Sequence, residues 1–76
     1  MRLKDLREDK DLLQKDIALI LNIKQQQYSR YELGQNDVPV SILIELAYFY
    51  NTSIDYLVGI TNEPKPYSRL NKKQRV

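Results

Sequence analysis

The chain has no cysteine and no histidine. That removes disulfides, thiolate and imidazole metal sites, and every Ser-His or Cys-His nucleophile. Its two glycines, Gly34 and Gly59, exclude a Gly-rich phosphate loop. No apolar run approaches the ~20 residues of a membrane span, and the opening stretch MRLKDLREDK has no signal-peptide apolar core. A soluble cytoplasmic protein is expected, without metal, cofactor or small-molecule substrate. The scattered carboxylates that remain assemble no catalytic site, so an enzyme is not expected.

What is there fits one small helical domain of 76 residues. Its charge is unevenly divided. Residues 1–60 carry seven Lys/Arg against nine Asp/Glu, a net −2. Residues 61–76 carry Lys65, Arg69, Lys72, Lys73 and Arg75 against Glu63, a net +4. The basic character therefore belongs to the end of the chain, and any case for nucleic acid must rest on where charges sit.

Apolar spacing predicts five short helices and no strand. Leu3 and Leu6, with Leu12 or Leu13, give a first helix over about 2–10, stopped near Asp11. A second runs over about 14–21, and a third over about 25–32, ended by Gly34. Pro39 marks the entry to a fourth over about 40–50, with Ile42, Leu43, Leu46, Ala47 and Phe49 or Tyr50 on its inner face. Ser53 is an N-cap for a short fifth helix, Ile54-Asp55-Tyr56-Leu57, stopped by Gly59. An all-α domain over 1–60 is expected. The segment 61–76, with Pro64, Pro66 and few apolar residues, reads as a flexible basic tail.

The segment Gln14–Leu33, QKDIALILNIKQQQYSRYEL, carries the functional signal. Counted from Gln14, residues Ile17, Leu21, Ile23, Tyr28 and Tyr31 occupy the positions that bury two crossed helices against each other. Ala18 falls where only a small side chain permits close approach. Asn22 falls at a turn that wants left-handed backbone, for which Asn is second to Gly. That is the pattern of a helix-turn-helix at helices 2 and 3. The run Gln25-Gln26-Gln27 opens helix 3 on its uncovered side, while Tyr28 and Tyr31 read as inward packing residues, not as platforms for unpaired bases.

The order of motifs resembles the Cro/C1-type (XRE-like) helix-turn-helix repressors of phages and bacteria. It is carried by Leu6-Arg7, Gln14, Ile17-Ala18, Ser29-Arg30-Tyr31-Glu32-x-Gly34, Pro39, Leu46-Ala47 and Ser53-Ile54-Asp55-Tyr56-Leu57. The resemblance covers about residues 3–60 and implies a lambda-repressor-like fold of five helices. Three positions depart from it. Asn22 replaces the usual Gly, and Leu13 and Lys24 replace the usual Ser or Thr at the N-caps of helices 2 and 3. Each lost side-chain cap costs ~1 kcal/mol.

The resemblance implies double-stranded DNA as partner, with helix 3 in the major groove and helix 2 across the backbone. Gln25 and Gln26, at the leading end of helix 3, are the expected base readers, since one amide donates to and accepts from adenine N6 and N7. Arg30 reaches guanine or a phosphate, or pairs at the surface with Glu32 or Asp37; Ser29 serves base, phosphate or solvent. The resemblance assigns Gln14 a phosphate contact and a bracing contact to the first residue of helix 3. Lys24, Gln27, Gln35 and Asn36 are further phosphate candidates, setting register without reading sequence. It also implies a salt bridge between Arg7 and Glu32. A small transcriptional regulator is expected, a repressor by resemblance, forming a homodimer on DNA through the fifth helix and the stretch Tyr56-Leu57-Val58-Gly59-Ile60. The alternative is the same fold used as a protein-binding module or antitoxin.

Overall fold

The computed structural model describes residues 1–69. Lys72, Lys73 and Arg75, counted with the tail above, lie outside the described residues. Five helices follow in order: α1 (Leu3–Asp9), α2 (Gln14–Leu21), α3 (Gln25–Glu32), α4 (Val40–Phe49) and α5 (Ile54–Val58). There is no strand among the described residues. The expected boundaries hold to within a residue or so.

All five helices end the same way. At Asp11, Asn22, Gly34, Asn51 and Gly59 the backbone turns to positive φ, between 52° and 95°. Each time that residue's N–H and the next one close the two bonds of a Schellman motif. After α2, Asn22 N–H donates to Leu19 O at 3.1 Å and Ile23 N–H to Ala18 O at 3.0 Å. After α4, Asn51 N–H donates to Tyr48 O and Thr52 N–H to Ala47 O. The motif reverses the chain within two residues, so short helices stack without long loops. Asp and Asn tolerate this conformation because their short polar side chains bond locally.

Helix starts are less uniform. Ser53 Oγ accepts from Tyr56 N–H at 3.0 Å and caps α5. Leu13 and Lys24 offer no acceptor, and neither α2 nor α3 has a side-chain cap bond. On α2 the Asp16 carboxylate reaches back to Leu13 N–H at 2.8 Å, which supplies half of a capping box.

The core gathers Leu3 from α1, Ile17, Ala18 and Leu21 from α2, and Tyr28 and Tyr31 from α3. Leu43, Leu46, Ala47 and Tyr50 join them from α4 and its end, with Leu57 from α5. Of the pair left open at the end of α4, Tyr50 is the inward residue and Phe49 the outward one. Tyr28, fully buried, fills the centre and fixes one face of α3 inward, leaving the opposite face for solvent.

The chain beyond α5 lies against α4 and α5. Thr52 Oγ1 donates to Pro64 O at 2.6 Å, and Tyr67 Oη to Asp55 Oδ2 at 2.6 Å. Arg69 donates to Ala47 O and Thr52 O at 3.2 and 2.9 Å, with its guanidinium over the Tyr48 ring. At the other end Arg2 donates to Tyr56 O and Thr61 O and stacks on Tyr56. An open groove of about 770 Å³ lies between this segment and the helices, walled by Ile44, Ala47, Tyr48 and Ile54.

Candidate nucleic-acid interface

The outward face of α3 is built by spacing alone. With Tyr28 and Tyr31 turned inward, Gln25, Gln26, Gln27 and Arg30 are exposed and Ser29 is half-buried. Gln26 and Arg30 stand one turn apart, as do Gln25 and Ser29, so each pair points the same way. Lys24 is exposed immediately before the helix, in extended backbone. No acidic side chain occupies the first turn of α3. Its N-terminal N–H groups and helix dipole are therefore neutralised by nothing local, which favours an anion there.

Gln27 is also outward, but its Nε2 donates to Tyr31 Oη at 2.8 Å. Gln35 and Asn36 are exposed in the loop after α3, where both N–H groups point back to Arg30 O. Arg30 forms no ion pair among the described residues. Glu32, one of its two candidate surface partners, is committed elsewhere.

That commitment is to Arg7. Arg7 Nε donates to Glu32 Oε2 at 2.7 Å and Nη2 to Oε1 at 3.1 Å, a two-pronged bond. The third prong, Nη1, donates to Leu12 O at 2.8 Å. The Arg7 side chain is 11% exposed and that of Glu32 only 3%. Burial pushes the Glu32 carboxyl up, yet the Arg7, Tyr28 and Gln14 groups facing it outweigh burial and hold it below its ordinary value. The same bond raises Arg7 further above its already high value, so both groups are charged.

Gln14, the first residue of α2, is half-buried and donates from Nε2 to Glu32 Oε1 at 3.1 Å. No hydrogen bond joins it to Gln25 among the described residues. The resemblance paired Arg7 with Glu32 but gave no sign of this third partner, since the partners it offered Gln14 were a phosphate and the first residue of α3.

Two further groups were not foreseen. The hydroxyls of Tyr28 and Tyr50 are buried and unpaired among the described residues. Tyr28 Oη faces the Glu32 carboxylate without reaching hydrogen-bonding geometry. Burial, with the negative charge of Glu32, pushes the Tyr28 hydroxyl well up and the Tyr50 hydroxyl to about 12.

Comparison with known proteins gives the family. Residues 3–57 match the helix-turn-helix family model, and the chain belongs to that family, in its Cro/C1 (XRE) type. Three relatives from Bacillus subtilis are similar to it. YobD, an uncharacterised HTH-type transcriptional regulator, is 34% identical over 96% of this chain and 66% of its own length. The HTH-type transcriptional regulator ImmR is 40% identical over 76% of this chain and 46% of its own. YqaE, another uncharacterised HTH-type transcriptional regulator, is 37% identical over 80% and 53%. The chain thus spans about half to two thirds of the length of these relatives. No solved structure is a significant match. No helix among the described residues is long and apolar enough to cross a membrane, and no acidic cluster there would hold a metal ion.

Proposed function

We propose that this chain is the DNA-binding part of a transcriptional regulator, and that α3 enters the major groove of duplex DNA with α2 laid across the phosphate backbone. The observation that carries the reading is the outward face of α3. It has four hydrogen-bonding side chains, an uncapped N-terminus and no acidic group in its first turn, on a helix locked from behind by Tyr28 and Tyr31. Such a face suits base edges lined with acceptors and donors.

In this reading Gln25 and Gln26 read bases, with Arg30 and Ser29 one turn behind them. Lys24, Gln14, Gln35 and Asn36 meet phosphates. Gln27 meets one only through the amide hydrogen that Tyr31 leaves free. The Cro/C1 resemblance favours repression as the outcome of binding.

One recognition helix reads few base pairs, so two copies on a pseudo-palindrome about one helical turn apart supply useful specificity. Within the stretch expected to make the interface, Leu57 is fully buried and Arg2 covers Tyr56, while Ile60 is 74% exposed. The dimer contact proposed here therefore centres on Ile60 and Val58.

Selection of binding sites from random duplexes tests the reading. A palindromic consensus whose binding weakens steeply with salt supports it. Recovery of no consensus, with no salt-dependent shift of duplex DNA, overturns it and leaves the fold as a protein-binding module.

A further inference from the structure

The Glu32 carboxylate is the meeting point of three segments. It receives two bonds from α1 through Arg7 and one from the first residue of α2 through Gln14. It sits itself on the last residue of α3. Arg7 also holds the loop before α2, since its Nη1 donates to Leu12 O and its own carbonyl accepts from Leu12 N–H at 3.1 Å. The entry to α2 and the exit from α3 are therefore fixed to one buried, charged group.

For a surface glutamine the two ends of the amide interchange freely. Gln14 differs, because Glu32 has lost its protons and only accepts. The bond at 3.1 Å must come from Nε2, which fixes the amide with its nitrogen toward the carboxylate. That nitrogen keeps a second hydrogen for which no acceptor stands among the described residues, on a side chain that is only half-buried.

We infer that Glu32 is a positioning residue for DNA: it orients the Gln14 amide so that the second Nε2 hydrogen meets one backbone phosphate at the start of α2. The inference rests on the phosphate role given to Gln14 above. It assigns Glu32, which touches no DNA, a share in that contact. Without the carboxylate the amide turns freely, and half of its orientations present an oxygen to the phosphate.

The test uses the selected duplex with single phosphates replaced, one at a time, by uncharged methylphosphonate. In the unaltered chain, replacement at one phosphate per half-site weakens binding roughly tenfold, the scale of a hydrogen bond to a charged group. Gln14→Met and Glu32→Met, which leaves Gln14 Nε2 no acceptor at that position, each abolish the sensitivity at that phosphate while the response at other phosphates stays. A purely structural role of Glu32 would instead weaken binding evenly at every linkage.

If Glu32→Met fails to fold because Arg7 is stranded, the double variant Arg7→Met/Glu32→Met replaces the ion pair by apolar groups, an exchange that proteins often tolerate. It should lose the same sensitivity. In the unmutated chain, a through-hydrogen-bond coupling between Gln14 Nε2 and the Glu32 carboxyl carbon should persist in the DNA complex. Loss of the phosphate sensitivity in Gln14→Met but its retention in the Glu32 variants overturns the positioning role alone, as does absence of the coupling. Unchanged sensitivity in Gln14→Met overturns the phosphate role of Gln14, and the inference with it.

Discussion

Replacing Arg7 by Met removes three donors at once: two from Glu32, at 2.7 and 3.1 Å, and one from Leu12 O at 2.8 Å. Among the described residues Glu32 then retains one donor, Gln14, for a carboxylate that is 3% exposed. Stranding a buried charge in this way costs ~3–5 kcal/mol. Glu32→Gln strands Arg7 instead, whose edge reaches water, so the loss should fall near the lower end, about 3 kcal/mol. The double variant strands neither charge, and the two losses should fail to add by about 2 kcal/mol. Urea unfolding of the four proteins at one pH measures this cycle, with a constant m-value as the check that only stability changed. The pH dependence gives a second reading. Glu32 has a folded pKa below its ordinary 4.5, so its contribution is fully present above that value and is lost as pH falls through the depressed one. The acid limb should therefore flatten in Glu32→Gln. Additive losses under about 1 kcal/mol each would show an ordinary surface pair and refute the reasoning.

Three other perturbations have clear signs. Tyr50→Phe removes a buried hydroxyl that has no partner among the described residues, so stability near neutrality should hold or rise by up to about 1 kcal/mol. Because burial raises the Tyr50 hydroxyl from 10 to about 12, the native chain should lose stability as pH climbs through that window, and Tyr50→Phe should lose less. Asn22 sits at φ 57°, so thermal unfolding should show Asn22→Ala weaker by about 1 kcal/mol and Asn22→Gly close to the native chain. Lys24→Ala should weaken binding to every duplex and lower the salt slope by about 0.9 for one lost phosphate contact; an unmoved slope would place Lys24 in solvent.

The helices were legible because their signals are local. Leu3, Ile17, Leu21, Leu43 and Leu46 recur at helical spacing, and Asp11, Asn22, Gly34 and Gly59 each stop a helix at positive φ. Asn51 does the same after α4, yet in sequence it reads as one more polar residue before Thr52 and Ser53. The outward face of α3 was legible too, since placing Tyr28 and Tyr31 inward leaves the glutamines outside. Contacts made through tertiary proximity were not, apart from the Arg7–Glu32 salt bridge that the resemblance implied. Nothing in the order of residues says that Gln14 meets Glu32, that Arg2 covers Tyr56, or that two tyrosine hydroxyls are shut in beside a carboxylate. The expectation of a flexible basic tail over 61–76 rested on composition. Composition carries no record of the bonds from Thr52 to Pro64 O and from Arg69 to Ala47 O and Thr52 O, which join part of that segment to α4 and to the turn after it.

The central claim is that α3 reads base pairs, and Gln26→Ala tests it most directly. Its affinity should be measured on the selected duplex, on duplexes altered at each position in turn, and on unrelated DNA. Specific binding should weaken by about 1–3 kcal/mol, with discrimination lost at one position per half-site and non-specific affinity unchanged. If Gln26→Ala, and Gln25→Ala beside it, keep full sequence preference at every position, α3 is not the reader and the account fails.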